Sequence, residues 1–214
     1  VHIDVWSDVI CPWCYLGHRR LQTALEQLGW QDEVEVRFHA FLLDPRATNE
    51  PQDLRRSLEA KYGPGSFDGM TKRLTVLGEP EGIDYRFDTA VRVTTLEAHR
   101  LISWAWTQGG AAAQTPLVER LFLAYFTEGA NIADHPTLVR LAGEAGLDAD
   151  AAAEVLAGTA FSDEVAEDLV QAQELELTGV PAFLVEERML IPGAQDVETF
   201  VTVLQRAKDR LEAK

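Results

Sequence analysis

Cys11-Pro12-Trp13-Cys14 holds both cysteines of the chain, and they are the residues best suited to chemistry. A pair this local cannot staple a large fold and is too small a set for a structural zinc, so its spacing points to redox exchange. Before it, His2-Ile3-Asp4-Val5-Trp6 alternates as a strand does. After it, Cys14, Leu21, Leu25 and Leu28 recur at helical spacing from Pro12 to Leu28, and Gly29 supplies a stop. Cys11 therefore falls at a helix N-terminus, where unpaired backbone N–H groups stabilise a thiolate by ~0.3–2 kcal/mol. That makes Cys11 the nucleophile. Cys14, one turn further in and shielded, becomes the resolving thiol that attacks a mixed disulfide on Cys11. Pro12 suits a first turn because it has no N–H to lose. The plainer alternative is two unrelated buried thiols or half of a metal site.

A second motif, Gly179-Val180-Pro181-Ala182-Phe183, puts a proline directly before a β-rich run, where it must break pairing or occupy a special turn. A cis Val180–Pro181 bond is the expected solution. Val180 would then offer main-chain hydrogen bonds to an extended substrate and hold its disulfide over Cys11.

The elements that position these motifs read in a definite order. Residues 34–42 alternate as a second strand and end at Asp44-Pro45. From about residue 46 to 160 the period is helical, with candidate helices at Pro51–Tyr62, Phe67–Leu77, Thr95–Gln108, Pro116–Phe126, Pro136–Ala145 and Ala149–Leu156. Ala111-Ala112-Ala113 marks a loop or a helix start. A helix over Asp163–Leu177 with Ser162 as N-cap, short strands at Ala182–Glu186 and Arg188–Ile191, and a helix over Asp196–Leu211 complete the chain. The reading is β-α-β, a helical insertion, then α-β-β-α.

Composition narrows the partners. The 214 residues carry 19 Lys+Arg against 35 Asp+Glu, a formal net charge of −16, with 46% hydrophobic residues. These are the proportions of a globular fold, and the acidic balance disfavours nucleic acid and anionic membrane as partners. No run approaches 18 apolar residues, and no basic segment followed by an apolar one opens the chain, so a cytoplasmic location is expected. There is no phosphate-cradling glycine loop, no G-x-S-x-G and no H-E-x-x-H. The five histidines are too scattered to suggest a metal site, and none is expected.

The run Ser7-Asp8-Val9-Ile10-Cys11-Pro12-Trp13-Cys14-Tyr15-Leu16-Gly17, together with Gly179-Val180-Pro181, Gly193-Ala194-Gln195 and Ala98-His99-Arg100, resembles the DsbA family. The closer likeness is to its FrnE-like branch, grouped with 2-hydroxychromene-2-carboxylate isomerases. The resemblance implies an α/β, thioredoxin-like fold with an inserted all-helical domain: residues 1–45 and 163–214 form the thioredoxin-like domain and 46–162 the insertion. It implies thiol–disulfide oxidoreductase activity on protein or small-molecule disulfides and thiols, with Cys11 as nucleophile, Cys14 as resolver and Pro181 as the cis-proline. No cofactor is expected to be tightly bound; glutathione or another small thiol could serve as redox partner. The alternative is a glutathione-type, thiol-dependent isomerase or transferase acting on an aromatic small molecule, but those relatives typically carry Ser where Cys11 stands. Thr94, Ala182 and Pro192 depart from the branch's usual residues. Pro-Trp between the cysteines, where strongly oxidising DsbA proteins have Pro-His, implies a less oxidising potential.

Other residues have two readings each. Trp13 is expected beside the dithiol as an exposed aromatic that packs on substrate, with Pro12, Val180 and Pro181 completing the binding surface. His99, among core-like neighbours, is either a proton donor or acceptor near the dithiol or a satisfied imidazole. Asp8 either tunes the thiolate or orders the turn. His18 lies two turns from Cys11. The six acids between Asp163 and Glu176 read as a solvated face.

Overall fold

The alternation around Ile3 and Val5 forms β1 (His2–Ser7), and the helical spacing after the cysteines forms α1 (Pro12–Leu28). Gly29, at φ 68°, ends that helix in the left-handed conformation. β2 (Glu35–Ala40) follows. The computed structural model describes residues 1–212. Next come β3 (Gln52–Asp53), α2 (Leu54–Tyr62), α3 (Ser66–Gly78), a 3₁₀ turn at Glu79–Glu81, β4 (Val91–Arg92) and α4 (Leu96–Gly109). Four more helices follow: α5 (Ala111–Phe126), α6 (His135–Glu144), α7 (Ala149–Ala157) and α8 (Ser162–Glu174). β5 (Ala182–Val185), β6 (Met189–Pro192) and α9 (Val197–Glu212) close the chain.

The sheet runs β2-β1-β5-β6, with β1 and β2 parallel and the other pairs antiparallel. A parallel pair requires a crossover, and α1 is that crossover. Val5 lies opposite Phe38 on one side and Phe183 on the other, so the three share a face. Leu16 and Leu21 of α1 are buried in the same core, and Phe200 of α9 meets the Phe183 ring edge-on at 4.9 Å. Each such side chain contributes roughly 1.5–3 kcal/mol on burial. On the opposite face Trp6 and Ala182 pack with Ala172 of α8. β2 is an edge strand, and buried Gln114 of α5 closes it. Its side-chain oxygen accepts from Phe38 N–H at 2.8 Å, while its amide donates to Phe38 C=O at 3.1 Å.

The insertion departs from an all-helical reading. Gln52–Asp53 and Val91–Arg92 pair as a short antiparallel ribbon, so the helix expected from Pro51 begins only at Leu54, where Asp53 caps it. Two-residue strands leave no alternation to read. α5 starts at Ala111 and carries Pro116 inside it, because Gln114, Leu117, Val118 and Leu121 are all buried and outweigh the proline's lost hydrogen bond. Ser162 is the first residue of α8, not its cap. Phe161 holds the N-cap position at φ 64° without a side-chain hydrogen bond, and the helix stops at Glu174.

On the α8 face, His39 stacks on Trp6 at 4.7 Å and lies between two carboxylates, with Nδ1 2.7 Å from Asp168 and Nε2 2.8 Å from Asp4. Only an imidazolium can donate from both ring nitrogens. Burial works against that charge, but Asp168 and Asp4 outweigh it and raise the His39 pKa above its ordinary value. The stabilisation is therefore complete below about pH 6.5, the ordinary histidine value, and is lost as pH rises through the higher folded value. His39→Gln should cost about 2–3 kcal/mol of unfolding free energy near pH 6, less at alkaline pH, as measured by urea denaturation. A cost that stays flat up to about pH 9 would mean the folded ring carries no charge.

Candidate active site

β1 ends at Ser7 and α1 begins at Pro12, so a single turn joins them. Cys11 N–H donates to Asp8 C=O at 3.0 Å, and Cys11 takes the N-cap position with extended φ −88°, ψ 111°. Its carbonyl accepts from Cys14 N–H at 3.0 Å and Tyr15 N–H at 3.3 Å. Its side chain makes no capping bond, and its sulfur lies 3.6 Å from the Val180 carbonyl oxygen. Both thiols are buried and free. Their spacing along a helix brings the two Cα atoms to about 5–6 Å, within range of a disulfide. The environments of the two sulfurs differ. Burial pushes the Cys14 thiol up, and the Cys11 sulfur beside it adds to this, against a smaller opposing effect of Asp8 N–H and the Ser7 hydroxyl.

The Val180–Pro181 peptide is cis, and α1 lies directly against this turn. The approach depends on Gly17, where a Cβ would sit 3.0 Å from the Pro181 ring and 3.2 Å from Phe183. The Gly193-Ala194-Gln195 motif holds the other side. Gly193 N–H donates to Pro181 C=O at 2.7 Å, and Arg20 of α1 donates to Ala194 C=O at 3.0 Å while pairing with Glu81 at 3.0 Å. Thus the motifs from the two ends of the chain meet around Cys11.

Residues 46–162 supply the other walls. Tyr85 donates its hydroxyl to Pro12 C=O at 2.5 Å; burial, with the nearby cysteine sulfurs, pushes its pKa well up and keeps the proton on. Gly78 makes room for that ring, since a Cβ there would lie 2.5 Å from it. Asp8 is 0% exposed, accepting from Leu43 N–H at 2.8 Å, with His99 Nε2 3.4 Å away. His99, 2% exposed, faces Asp8 from inside the core and not the solvent side from which a substrate would arrive. Trp13 is half-buried where an exposed ring is expected, with the Arg73 guanidinium 5.4 Å over its ring. Pro12 and Val180 are half-buried and Pro181 is buried.

Other signals resolve differently. Arg100 of the Ala98-His99-Arg100 motif donates to Val155, Gly158 and Ala160 carbonyls, satisfying the C-terminal end of α7 and the turn after it. His18 pairs with Glu119 at 2.9 Å, away from the sulfurs. Among the described residues no group of three His, Cys, Asp or Glu side chains is placed to hold a metal ion. Tyr85, Ser7 and Arg73 were not singled out in the sequence. Gly78, just past the expected helix Phe67–Leu77, reads as an ordinary helix stop and gives no hint of the Tyr85 ring.

The chain matches the DSBA-like thioredoxin domain family over residues 2–205. It is similar to a probable DsbA oxidoreductase from Streptomyces coelicolor: 33% identity, TM-score 0.89, covering 97% of this chain and 90% of that one. A 2-hydroxychromene-2-carboxylate isomerase superimposes with TM-score 0.67 at 19% identity, over 99% of this chain and 96% of its own. The cytosolic disulfide reductase DsbM from Pseudomonas aeruginosa does so with TM-score 0.65 at 20% identity, over 100% and 98%, and has also been solved with GSH. These last two share the fold.

The contrast between the sulfurs has a direct readout. Reduced protein treated with iodoacetamide near neutral pH should lose Cys11 first, with Cys14 labelled only after unfolding, as peptide mass spectrometry would resolve. Equal labelling in the folded state would contradict the upward push that burial and the Cys11 sulfur give the Cys14 thiol.

Proposed function

The chain belongs to the DSBA-like thioredoxin domain family, and we propose that within it the protein is a dithiol–disulfide oxidoreductase. The observation that carries this reading is the Cys11 sulfur at the N-cap of α1, 3.6 Å from the Val180 carbonyl, with Cys14 one turn deeper. In the forward sense the Cys11 thiolate attacks a substrate disulfide, forming a Cys11–substrate disulfide and releasing one substrate thiolate. Cys14 then loses its proton and attacks the Cys11 sulfur. The second substrate thiolate leaves, the substrate is reduced and the enzyme pair is oxidised; the reverse sequence oxidises a dithiol.

Cys14 needs a proton acceptor, because burial disfavours its thiolate. Asp8, whose backbone N–H lies against the Cys14 sulfur and whose carboxyl is sealed from water with His99 beside it, is our candidate acceptor. The substrate backbone pairs along Val180, and its side chains rest on Pro12, Trp13 and Pro181. We take residues 1–45 and 163–214 as the thioredoxin-like unit and 46–162 as an insertion that roofs the dithiol. Substrates are protein or small-molecule disulfides and thiols. Glutathione is the small thiol we would try first, since it is seen with DsbM, whose fold is similar.

Two experiments test this. An equilibrium titration in glutathione buffers, quenched by alkylation and read by intact mass, should show one two-electron transition. A midpoint near ~−270 mV would suit a reductant and one near ~−120 mV an oxidant. A persistent single glutathione adduct with no dithiol–disulfide transition would favour a thiol-dependent isomerase or transferase instead. Cys14→Ser should trap mixed disulfides on Cys11, and their absence across a range of disulfides would count against the reading. Asp8→Asn should slow resolution of the mixed disulfide by at least about tenfold and displace its pH profile, while initial attack by Cys11 changes little. An unchanged resolution rate would remove Asp8 from the proton path.

A further inference from the structure

Charge is unevenly distributed along this acidic chain. The hairpin of α2 and α3, Leu54–Gly78, carries five Lys or Arg against two acids, whereas the remainder carries 14 against 33. The hairpin is also weakly embedded. α2 has no buried residue, and α3 buries only Phe67, Leu74 and Gly78. Both acids of the hairpin are engaged by Arg55, Glu59 at 3.7 Å and Asp68 at 2.8 Å. Among the described residues this leaves Arg56, Lys61, Lys72 and Arg73 without a carboxylate partner.

Arg73 is the one that lies against a residue between the two cysteines. Its guanidinium lies 5.4 Å over the ring of Trp13, the residue next to Cys14. A guanidinium above an aromatic face keeps its edge N–H groups free, and those groups match a carboxylate in bidentate geometry. Met70, one turn earlier on α3 and 41% exposed, offers an apolar surface on the same side of that helix. The net charge of the whole molecule does not cancel this, because charges beyond about 8 Å are largely screened at physiological ionic strength.

We propose that Arg73, held over Trp13 at the dithiol, selects acidic disulfide substrates by binding a carboxylate close to the cystine that Cys11 attacks. The inference rests on the oxidoreductase reading above and names the substrate class for that same site. An extended peptide paired along Val180 would present its sulfur to Cys11 and a neighbouring Asp or Glu side chain to the guanidinium. Trp13 serves as the platform that fixes the guanidinium plane, so the selection is local to one ion pair and not a property of the whole surface.

The test uses three peptide disulfides of one sequence whose residues flanking the cystine are Asp, Asn or Lys, with bis(2-hydroxyethyl) disulfide as an uncharged control. Second-order rate constants for oxidation of the reduced wild-type protein should rank Asp above Asn above Lys, with about a three- to fivefold span from Asp to Asn. The Asp-to-Asn ratio should fall towards one in Arg73→Gln, persist in large part in Arg73→Lys, and shrink with added salt. A ratio that Arg73→Gln leaves intact, or a wild-type preference for the Lys peptide, would overturn the proposal. The control separates the two readings. Oxidation by the uncharged disulfide without charge selectivity removes only the role of Arg73, whereas no exchange with any of the four removes the oxidoreductase reading and this inference with it.

Discussion

The closeness of α1 to the Pro181 turn governs the rest of this site, and a missing side chain sets it. Gly17 is buried inside a helix, where glycine costs roughly 0.5–1 kcal/mol relative to alanine. The position tolerates little else, since a Cβ would lie 3.0 Å from Pro181 and 3.2 Å from Phe183. If α1 were pushed away from that turn, the Cys11 sulfur would leave the Val180 carbonyl it meets at 3.6 Å. Gly193 N–H and Arg20 then hold the turn from the other side. Each of those hydrogen bonds is worth only about 1 kcal/mol. Their effect is positional: they join a helix from the start of the chain to a strand from its end.

Within that frame the two thiols become chemically unequal through their surroundings alone. Cys11 sits at the N-terminal end of a helix, with its backbone N–H tied to Asp8 and its thiol facing the Val180 carbonyl. Cys14 lies in the first turn, under enough protein that burial dominates its ionisation. Residues 46–162 reinforce the difference. Tyr85 fixes the Pro12 carbonyl between the cysteines, and His99 faces the buried Asp8 whose backbone carbonyl accepts from Cys11 N–H. A disulfide exchanger needs one sulfur that attacks and one that waits, and here the two differ in their position along a single helix.

What could be read from the sequence was whatever is local. The cysteine spacing, the stop at Gly29, the strand before the pair and the proline before β5 each depend on a few neighbouring residues, and their placement follows from periodicity and backbone sterics. Contacts between distant segments left no comparable trace. The β3–β4 ribbon joins Gln52 to Arg92 through two-residue strands, too short to alternate. Gln114 falls between two candidate helices and reads as an ordinary polar residue until β2 arrives beside it with an unpaired edge. Pro116 looked like a helix start because local sterics say so, yet burial of the surrounding face carries the helix through it. Ser162 looked like a cap for a similar reason, while the chain reaches α8 through Phe161 in a left-handed conformation.

Charge shows how far composition can lead. A formal net charge of −16 disfavours partners recognised through many simultaneous cations, as a phosphate backbone or an anionic lipid surface is. It has no such authority over a single carboxylate. With screening beyond about 8 Å, a small ligand senses the groups beside it and little of the molecular total. Acids elsewhere are absorbed into structure: Asp4 and Asp168 hold His39 between them, and Glu144 pairs with Arg120 and Arg140. The two acids of the α2–α3 hairpin are likewise paired, both with Arg55. For a carboxylate arriving beside Trp13, the Arg73 guanidinium over that ring therefore counts for more than the acids that outnumber the cations across the chain.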